Sequence, residues 1–224
     1  DTPVNTTFNG VFNNGDIALP ISCGTYNAGD YSGPSSTTVT KNDDNWNLIG
    51  NPYPSAINAI DFLAANSNIE GAVHIWTHGT QLNDTNLPPF YEDYEFSYNV
   101  NDYLTYNSSG ASSGAGTFGG NITSGQGFFV LMNHGEADTD VNFNNTMRNK
   151  LYSNSEFYRT LPVENTNNLE RHRIWLSIIS PTNQTATSLV GYIEGATLAK
   201  DRMYDAYGLE RNAMNMYSLI EEEP

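Results

Sequence analysis

The pattern that most constrains the fold is a series of short runs in which apolar and polar residues alternate, bounded by Gly, Pro, Asn and Asp. A period of two predicts β-strands, and helical periodicity is nearly absent. Because eight or more runs are joined by polar loops, the sequence predicts an all-β fold, an antiparallel β-sandwich or jelly-roll-like domain with one short helix. The predicted strands are residues 45–50, 72–77, 103–106, 127–132, 141–143, 173–179, 188–193 and 216–220.

The one segment with helical spacing of its apolar residues is SAINAIDFLAA, residues 55–65. Ser55 follows a proline and is expected to cap the N-terminus of this helix. A second, single helical turn is expected after Asp201 in the string DRMYDA.

The length of 224 residues predicts a single β-sandwich domain spanning residues 1–224. The Gly/Ser-rich string NSSGASSGAGTFGG, residues 107–120, lies between two predicted strands. We expect a flexible surface loop within the domain, and a true linker between two domains is the alternative.

The charge balance excludes several classes of function. The chain carries 25 acidic against 9 basic side chains, a formal net charge of −16. Without a basic cluster it is not expected to bind nucleic acid, and it has no apolar stretch long enough to enter a membrane. A single cysteine, Cys23, cannot form an internal disulfide, so packing or metal ions must stabilise the fold.

No catalytic template is present in the sequence. The chain lacks the Gly-x-Ser-x-Gly, Walker, His-Glu-x-x-His and Cys-x-x-Cys patterns, so we do not expect an enzyme. His74 and His78 are four residues apart, but they fall in a predicted strand and its exit turn. Structural histidines are therefore favoured over metal ligands.

The string PPFYEDYEFSYNVNDY interleaves aromatic and acidic side chains. Sugar-binding surfaces combine aromatic stacking with carboxylate hydrogen bonds, so a ligand-contacting loop is one interpretation. A half-buried strand with an acidic outer face is the other. The candidate ligand-binding residues are Tyr91, Glu92, Asp93, Tyr94 and Tyr98.

Two pairs of aspartates are candidate ligands for a structural calcium ion. Asp138 and Asp140 alternate on one face of a turn or strand entry, and Asp201 and Asp205 converge if their segment coils through one turn. Calcium prefers such oxygen donors. Capping of a helical turn by Asp201 is an equally good explanation of the second pair.

Two motifs are interpreted as architectural, and ligand binding is the alternative for both. Asn51, Pro52, Tyr53 and Pro54 combine extended backbone with two prolines, which predicts a rigid corner. In the second motif, Gly125 and Gly127 flank Gln126, which predicts a close backbone passage before an apolar strand.

Aromatic and basic residues complete the predicted framework. Trp46, Trp76 and Trp175 are expected to be core aromatics on facing strands. Arg148 and Arg159 are expected to tie strand ends together through bidentate pairs with carboxylates.

Several strings follow one another in a distinctive order. They are WNLIGNPYPSAI, AVHIWT, ITSGQGFFVL, VNFNNTMR, FYR, RIWLSI, VGYIEGAT, DRMYDA and MYSLI. The series, which covers roughly residues 8–220, resembles an all-β module of secreted and cell-surface proteins of the Bacteroidetes. In those proteins the module usually lies upstream of a type IX secretion C-terminal sorting domain. The combination of GNPYPS and SGQGFFV is the most specific part.

The resemblance implies a non-catalytic extracellular module exported from a Gram-negative bacterium, with an adhesive or a structural role in a stalk or filament. Its partners would be neighbouring domains of the same or identical chains. The alternative is a carbohydrate-binding module attached to a secreted polysaccharide-active enzyme, with surface glycans as partners. Because the chain stops at SLIEEEP, where such proteins continue, we expect a fragment of a longer chain.

Overall fold

In a computed structural model of the protein, the fold consists of short strands and one short helix. The structure describes residues 7, 9–25, 31–32, 38–76, 103–112, 118–152, 154, 172–181, 185–207 and 216–220. The strands are β1 (Ile17–Ile21), β2 (Tyr31–Ser32), β3 (Thr38–Val39), β4 (Trp46–Gly50), β5 (Ile57–Asn58), β6 (Val73–Trp76), β7 (Tyr103–Asn107), β8 (Gly110–Ala111), β9 (Asn121–Ile122), β10 (Gly127–Leu131), β11 (Thr139–Phe143), β12 (Arg173–Ile179) and β13 (Thr185–Gly191). Helix α1 is Ala59–Ala65, and a 3-10 helix spans Asn145–Met147.

Every strand pair in the described part of the chain is antiparallel. The main sheet has five strands in the order β4-β10-β6-β7-β8, and β1 pairs with β11 in a second sheet. The pairs β2-β3, β5-β9 and β12-β13 form separate two-stranded sheets. The predicted all-β, antiparallel sandwich with one short helix is confirmed.

The core lies between the five-stranded sheet and the β1-β11 sheet, and helix α1 fills it. Phe62 of α1 packs edge-on against Phe128 of β10, with ring centroids 5.4 Å apart. The same ring lies 4.8 Å from the ring of Phe143 on β11. All three side chains are fully buried. Their ring contacts therefore connect helix α1 to the five-stranded sheet and to the β1-β11 sheet.

Helix α1 begins four residues later than the sequence predicted. Asn58, not Ser55, is its N-cap, because the Asn58 side chain accepts hydrogen bonds from the backbone N–H groups of Ile60 and Asp61. Ile57 instead extends as strand β5 and pairs with Ile122. Asparagine caps a helix N-terminus as effectively as serine does. Nothing in the local sequence pattern indicates that the residues before Asn58 pair with a distant strand instead of continuing the helix.

Most predicted strands are confirmed to within a few residues, but the strand predicted at residues 216–220 is wrong, and six observed strands, β1, β2, β3, β5, β8 and β9, were not predicted. Residues 216–220 have no strand assignment, and no described residue pairs with them. Strand β1 was missed because Pro20 interrupts its pattern. Among the described residues β1 pairs only with β11, and a proline is tolerated in a strand whose second edge has no partner strand.

The described parts of the Gly/Ser-rich segment, residues 107–112 and 118–120, contact neighbouring strands. Its first residues close the turn between β7 and β8, where Asn107 pairs with Gly110. Phe118 is buried against the Tyr106 ring, with centroids 4.9 Å apart. The described parts of residues 107–120 therefore belong to the folded body of the domain.

The three tryptophans are not core residues, contrary to the prediction. Trp46 and Trp76 are only partly buried, and Trp175 is 41% exposed. Leu48 lies on the same side of β4 as Trp46 and is exposed, while Ile49 points into the core. The tryptophans on β4 and β6 thus occupy the outer side of the five-stranded sheet.

Candidate functional site

The two most specific sequence motifs meet in space and build a buried corner. The Asn51 side-chain amide donates hydrogen bonds to the carbonyl oxygens of Ser55, Ile122 and Thr123, at 2.9, 3.0 and 3.0 Å. Its side-chain oxygen accepts from the backbone N–H of Tyr53 at 3.0 Å. Asn51 is 4% exposed, so one buried asparagine bonds to four backbone groups of the corner.

Gln126 makes the same kind of contact from the other motif. Its side-chain oxygen accepts from both the backbone N–H and the hydroxyl of Thr123. The Ser124 hydroxyl donates to the Tyr53 carbonyl oxygen at 2.8 Å, which ties the motifs together. Gly125, at φ +70°, provides the left-handed turn between them.

Neither glycine serves the close backbone passage that the sequence suggested. Nothing lies within 4 Å of a Cβ placed on Gly125, and one on Gly127 would make only ordinary contacts at 3.6 and 3.8 Å. Pro52 and Pro54 flank the buried Tyr53 side chain. This corner is a framework in which the side chains bond to backbone.

Arg148 has neutral partners, so its predicted pairing with a carboxylate was wrong. Its guanidinium lies over the Tyr53 ring, 4.6 Å from the centroid, and donates to the Ser55 hydroxyl at 2.7 Å. It also donates to the side-chain oxygens of Asn14 and Asn145. The partners of Arg148 are therefore asparagine side-chain oxygens and a hydroxyl group, not the predicted carboxylates.

The first aspartate pair lines a shallow surface cleft. Asp138 and Asp140 lie beside Asn47, with Ser22 and Thr139 also in the lining. Asp138 accepts the backbone N–H of Cys23 at 3.0 Å, and both aspartates are exposed. In this cleft one carboxylate caps a backbone donor, and the Asp140 side chain faces solvent.

The second aspartate pair caps a helical turn, residues 201–205, which we call the docked turn. The Asp201 carbonyl oxygen accepts from the backbone N–H groups of Tyr204 and Asp205 at 2.9 and 2.8 Å, so the predicted single turn is confirmed. The Asp205 carboxylate accepts the Asp201 N–H at 2.6 Å, and that of Asp201 accepts the Thr197 N–H. Both carboxylates therefore have backbone partners.

No group of three or more His, Cys, Asp or Glu side chains comes together as a metal site in the described ranges. Calcium binding therefore stays a prediction. A fall in melting temperature on adding EDTA would support it, and an unchanged melting temperature would contradict it.

Arg202 fastens the docked turn to the C-terminal end of helix α1. Its guanidinium donates to the carbonyl oxygens of Leu63, Asn66 and Ile69, at 2.9, 2.6 and 2.8 Å. The backbone of Arg202 lies so close to Gly71 that a Cβ there would overlap its carbonyl oxygen. A cation at the negative end of the helix is electrostatically favourable.

The side of the five-stranded sheet that faces away from the core, which we call the outer face, is rich in aromatic residues. Leu48, Phe129, His74 and Thr105 form one row across four strands, since each pairs directly with the next. In the adjacent row, Gly50 pairs with Gly127 and Trp76 pairs with Tyr103. Trp46 lies beside the first row on β4.

The sequence analysis missed the outer face, although a signal was available. In GFFVL two successive phenylalanines place a ring on each side of the strand, and in VHIW the rings of His74 and Trp76 lie on the side opposite Val73 and Ile75. Trp46 and Trp76, which lie on this side of the sheet, were instead predicted to fill the core.

His74 lies at the centre of the outer face and is 2% exposed. One ring nitrogen, Nδ1, is 2.9 Å from the Thr105 hydroxyl, and the Trp46 ring packs edge-on at 4.8 Å. Burial lowers the pKa of His74 from 6.5 to about 4. The side chain is therefore neutral at physiological pH and is hydrogen-bonded within the sheet.

The β12-β13 hairpin displays large apolar side chains on both of its sides. Those of β12 are Ile174, Trp175, Leu176, Ile178 and Ile179, each between 41% and 67% exposed. The hairpin is anchored at its base, where the Trp175 indole N–H donates to the Ala111 carbonyl oxygen at 3.1 Å. Trp175 thus attaches the hairpin to β8 rather than filling the core.

Some sequence-predicted site residues lie outside the described residues. These are Tyr91, Glu92, Asp93, Tyr94, Tyr98, His78 and Arg159. Their roles stay predictions.

Comparison with known families identifies the chain. A family model described as "Domain of unknown function (DUF8693)" matches residues 1–224. The chain belongs to this family. No curated protein and no solved structure matches it. No helix among the described residues is long and apolar enough to cross a membrane.

Proposed function

We propose that the chain is a non-catalytic module of an extracellular bacterial surface protein, and that it has a structural or adhesive role through contact with identical chains. The observation that carries the proposal is the β12-β13 hairpin. A two-stranded sheet is only marginally stable without cover, and exposed apolar strands are typical of sites that pair with another chain.

The geometry of β12 suits strand-to-strand association. Neighbouring side chains along a strand point to opposite sides, and Leu176 and Ile178 on one side are as exposed as Trp175 on the other. Among the described residues, only β13 pairs with β12. No described strand occupies the other edge of β12.

Charge favours a second copy as the partner. The hairpin segment, residues 173–191, contains one charged side chain, Arg173, whereas the whole chain has a net charge of −16. Two copies would repel each other over most of their surfaces. The neutral hairpin is the region where they can approach without that repulsion.

Sedimentation velocity across a micromolar concentration series tests the proposal. We expect the weight-average sedimentation coefficient of the wild type to rise with concentration, and that of Ile178→Lys to stay at the monomer value. Leu198→Lys is the matched control, because it adds the same charge at an apolar side chain that is 97% exposed outside the strands. A wild type that stays monomeric, or two variants that behave alike, would contradict the proposal.

The resemblance to secreted Bacteroidetes modules and the acidic, asparagine-rich composition support the extracellular location. Detection of the protein on the surface of intact producing cells, by protease accessibility, tests this part. Protection of the protein in intact cells would contradict it.

A further inference from the structure

The sequence contains two Asn-Gly pairs, and one of them lies in the cluster of side chains around Arg148. The pairs are Asn9-Gly10 and Asn14-Gly15. In such a pair the backbone nitrogen of the glycine can attack the side-chain carbonyl carbon of the asparagine, because glycine has no side chain to obstruct the approach. Asn14 is exposed to water, and apart from its chain neighbours nothing lies within 4 Å of a Cβ placed on Gly15.

Arg148 places a positive charge on the carbonyl group that such an attack would convert to an oxyanion. Its Nη1 group donates a hydrogen bond to the Asn14 side-chain oxygen, Oδ1, at 3.2 Å. A donor in this position stabilises the negative charge that develops on the oxygen as the tetrahedral intermediate forms. Because the donor is a guanidinium group, it stays charged across the whole physiological pH range.

The guanidinium group of Arg148 is held in this position by several partners. It lies over the Tyr53 ring, 4.6 Å from the centroid, and its Nε donates to the Ser55 hydroxyl at 2.7 Å. Its Nη1 also donates to the Asn145 side-chain oxygen at 2.9 Å. The donor therefore needs little reorientation when the Asn14 oxygen becomes charged, which is the condition under which a hydrogen bond lowers a barrier most.

The same cluster orients the attacking nitrogen. The Gly15 backbone N–H donates to the Asn145 side-chain oxygen at 3.3 Å, and the Gly15 carbonyl oxygen accepts from the Tyr53 hydroxyl at 2.5 Å. The N–H bond lies in the plane of the peptide group, whereas the nitrogen attacks from a face of that plane. The Asn145 oxygen therefore polarises the N–H bond without occupying the direction of attack.

We propose that Asn14 is a site of self-catalysed deamidation, in which Arg148 is the catalytic residue and Asn145 assists the loss of the Gly15 proton. The Gly15 nitrogen forms a bond to the Asn14 side-chain carbon, Cγ, and gives up its proton to water. The bond between Cγ and the side-chain nitrogen breaks, and that nitrogen takes up a proton from water and leaves as ammonia. Water then opens the cyclic imide at either carbonyl group, which produces an aspartate or an isoaspartate at position 14.

The product would give Arg148 the kind of partner that the sequence analysis predicted. Deamidation replaces a neutral amide by a carboxylate, and a carboxylate forms a stronger hydrogen bond with a guanidinium group than an amide oxygen does. The modification would therefore convert a neutral contact at the edge of the corner into an ion pair. This site is separate from the β12-β13 hairpin, so it can fail or succeed independently of the proposed contact between copies.

The second Asn-Gly pair provides an internal control. Asn9 is exposed and is followed by glycine, as Asn14 is, but no described residue donates a hydrogen bond to its side chain. The full chain is incubated at neutral pH, either folded or unfolded in urea. Chymotrypsin then separates the two pairs, because Phe12 lies between them, and mass spectrometry measures the converted fraction of each asparagine.

We expect Asn14 to be converted about fivefold or more faster than Asn9 in the folded chain, and the two to be converted at similar rates in urea. Arg148→Gln should remove the difference between the two sites. Lys150→Gln is the matched control and should retain it, because Lys150 is an exposed basic residue that makes no hydrogen bond to Asn14 in the described structure.

Urea unfolding shows whether Arg148→Gln remains folded, and the comparison of Asn14 with Asn9 in the wild type needs no variant. Three results would overturn the proposal. They are conversion of Asn14 no faster than that of Asn9 in the folded chain, a preference for Asn14 that persists in urea, and equal conversion of Asn14 in the wild type and in folded Arg148→Gln.

Discussion

Acidification should destabilise the fold through one side chain, His74. The unfolded chain takes up a proton on this imidazole near pH 6.5, whereas the folded protein resists it until about pH 4. Between these values the unfolded state binds more protons, so stability is highest above pH 6.5 and falls as the pH is lowered. The loss is complete once the pH is below the folded pKa.

The structure sets the size of the effect. One pKa unit corresponds to about 1.4 kcal/mol, so the gap between 6.5 and about 4 amounts to about 3 kcal/mol. About 2 kcal/mol of this should be lost by about pH 5. Burial is the cause of this pKa difference, and Thr105 is the hydrogen-bond partner of the ring among the described residues.

Urea unfolding, followed by tryptophan fluorescence at several pH values from about 7.5 to about 4.5, measures this loss for the wild type and for His74→Gln. Glutamine keeps a polar partner for Thr105 but does not titrate. The wild type should lose about 2 kcal/mol more than the variant between pH 7.5 and about 5. Parallel pH profiles for the two proteins would refute the reasoning.

Three further substitutions test the framework by urea unfolding. Gly71→Ala should lower the free energy of unfolding by about 2 kcal/mol, because its methyl group overlaps the backbone of the docked turn. Gly50→Ala is the control and should lower it by under about 0.5 kcal/mol, because its methyl group makes only a 3.8 Å contact. Equal losses for the two variants would contradict the packing. Asn51→Ala should lower the free energy of unfolding by about 3 kcal/mol, because it removes several buried hydrogen bonds to the backbone. Asn13→Ala is the control and should lower it by about 1 kcal/mol or less, because its bond to the same corner is exposed. Arg202→Lys should lower the free energy of unfolding by about 2 kcal/mol, because one ammonium group cannot reach all three carbonyl oxygens. An unchanged urea midpoint would contradict the role of the guanidinium group.

Local periodicity was enough to predict the fold class and most strands. GFFVL and RIWLSII became β10 and β12, because alternation and strand-forming residues determine a strand wherever a partner exists. Residues 216–220 show the limit of that reasoning. Their pattern also suggests a strand, but pairing is a tertiary event, and no described residue pairs with them.

The roles of single residues were harder to predict. The corner motif was rightly interpreted as architecture, but the sequence did not show that Asn51 reaches Ile122 and Thr123, about seventy residues further along the chain. Arg148 was assigned carboxylate partners because it lies in an acidic chain, and it found amide and hydroxyl oxygens instead. The choice among acceptors depends on which loops the fold brings together.

The outer side of a strand is ambiguous in a sequence. Trp46 and Trp76 were predicted to be core residues because large aromatic side chains are usually buried. Alternation places them opposite Ile49 and Ile75, which are the residues that do fill the core. Only the observed register shows that the tryptophans share one surface with Phe129 and Tyr103.

Cysteine cross-linking tests the central claim of hairpin-mediated contact between copies most directly. In a Cys23→Ser background, a single cysteine is placed either on β12 by Ser177→Cys or outside the strands by Leu198→Cys. Both positions are exposed in the isolated chain, so a difference between them reports contact between copies. The account predicts that mild oxidation converts Ser177→Cys to a covalent dimer much faster than Leu198→Cys, and equal rates would contradict it.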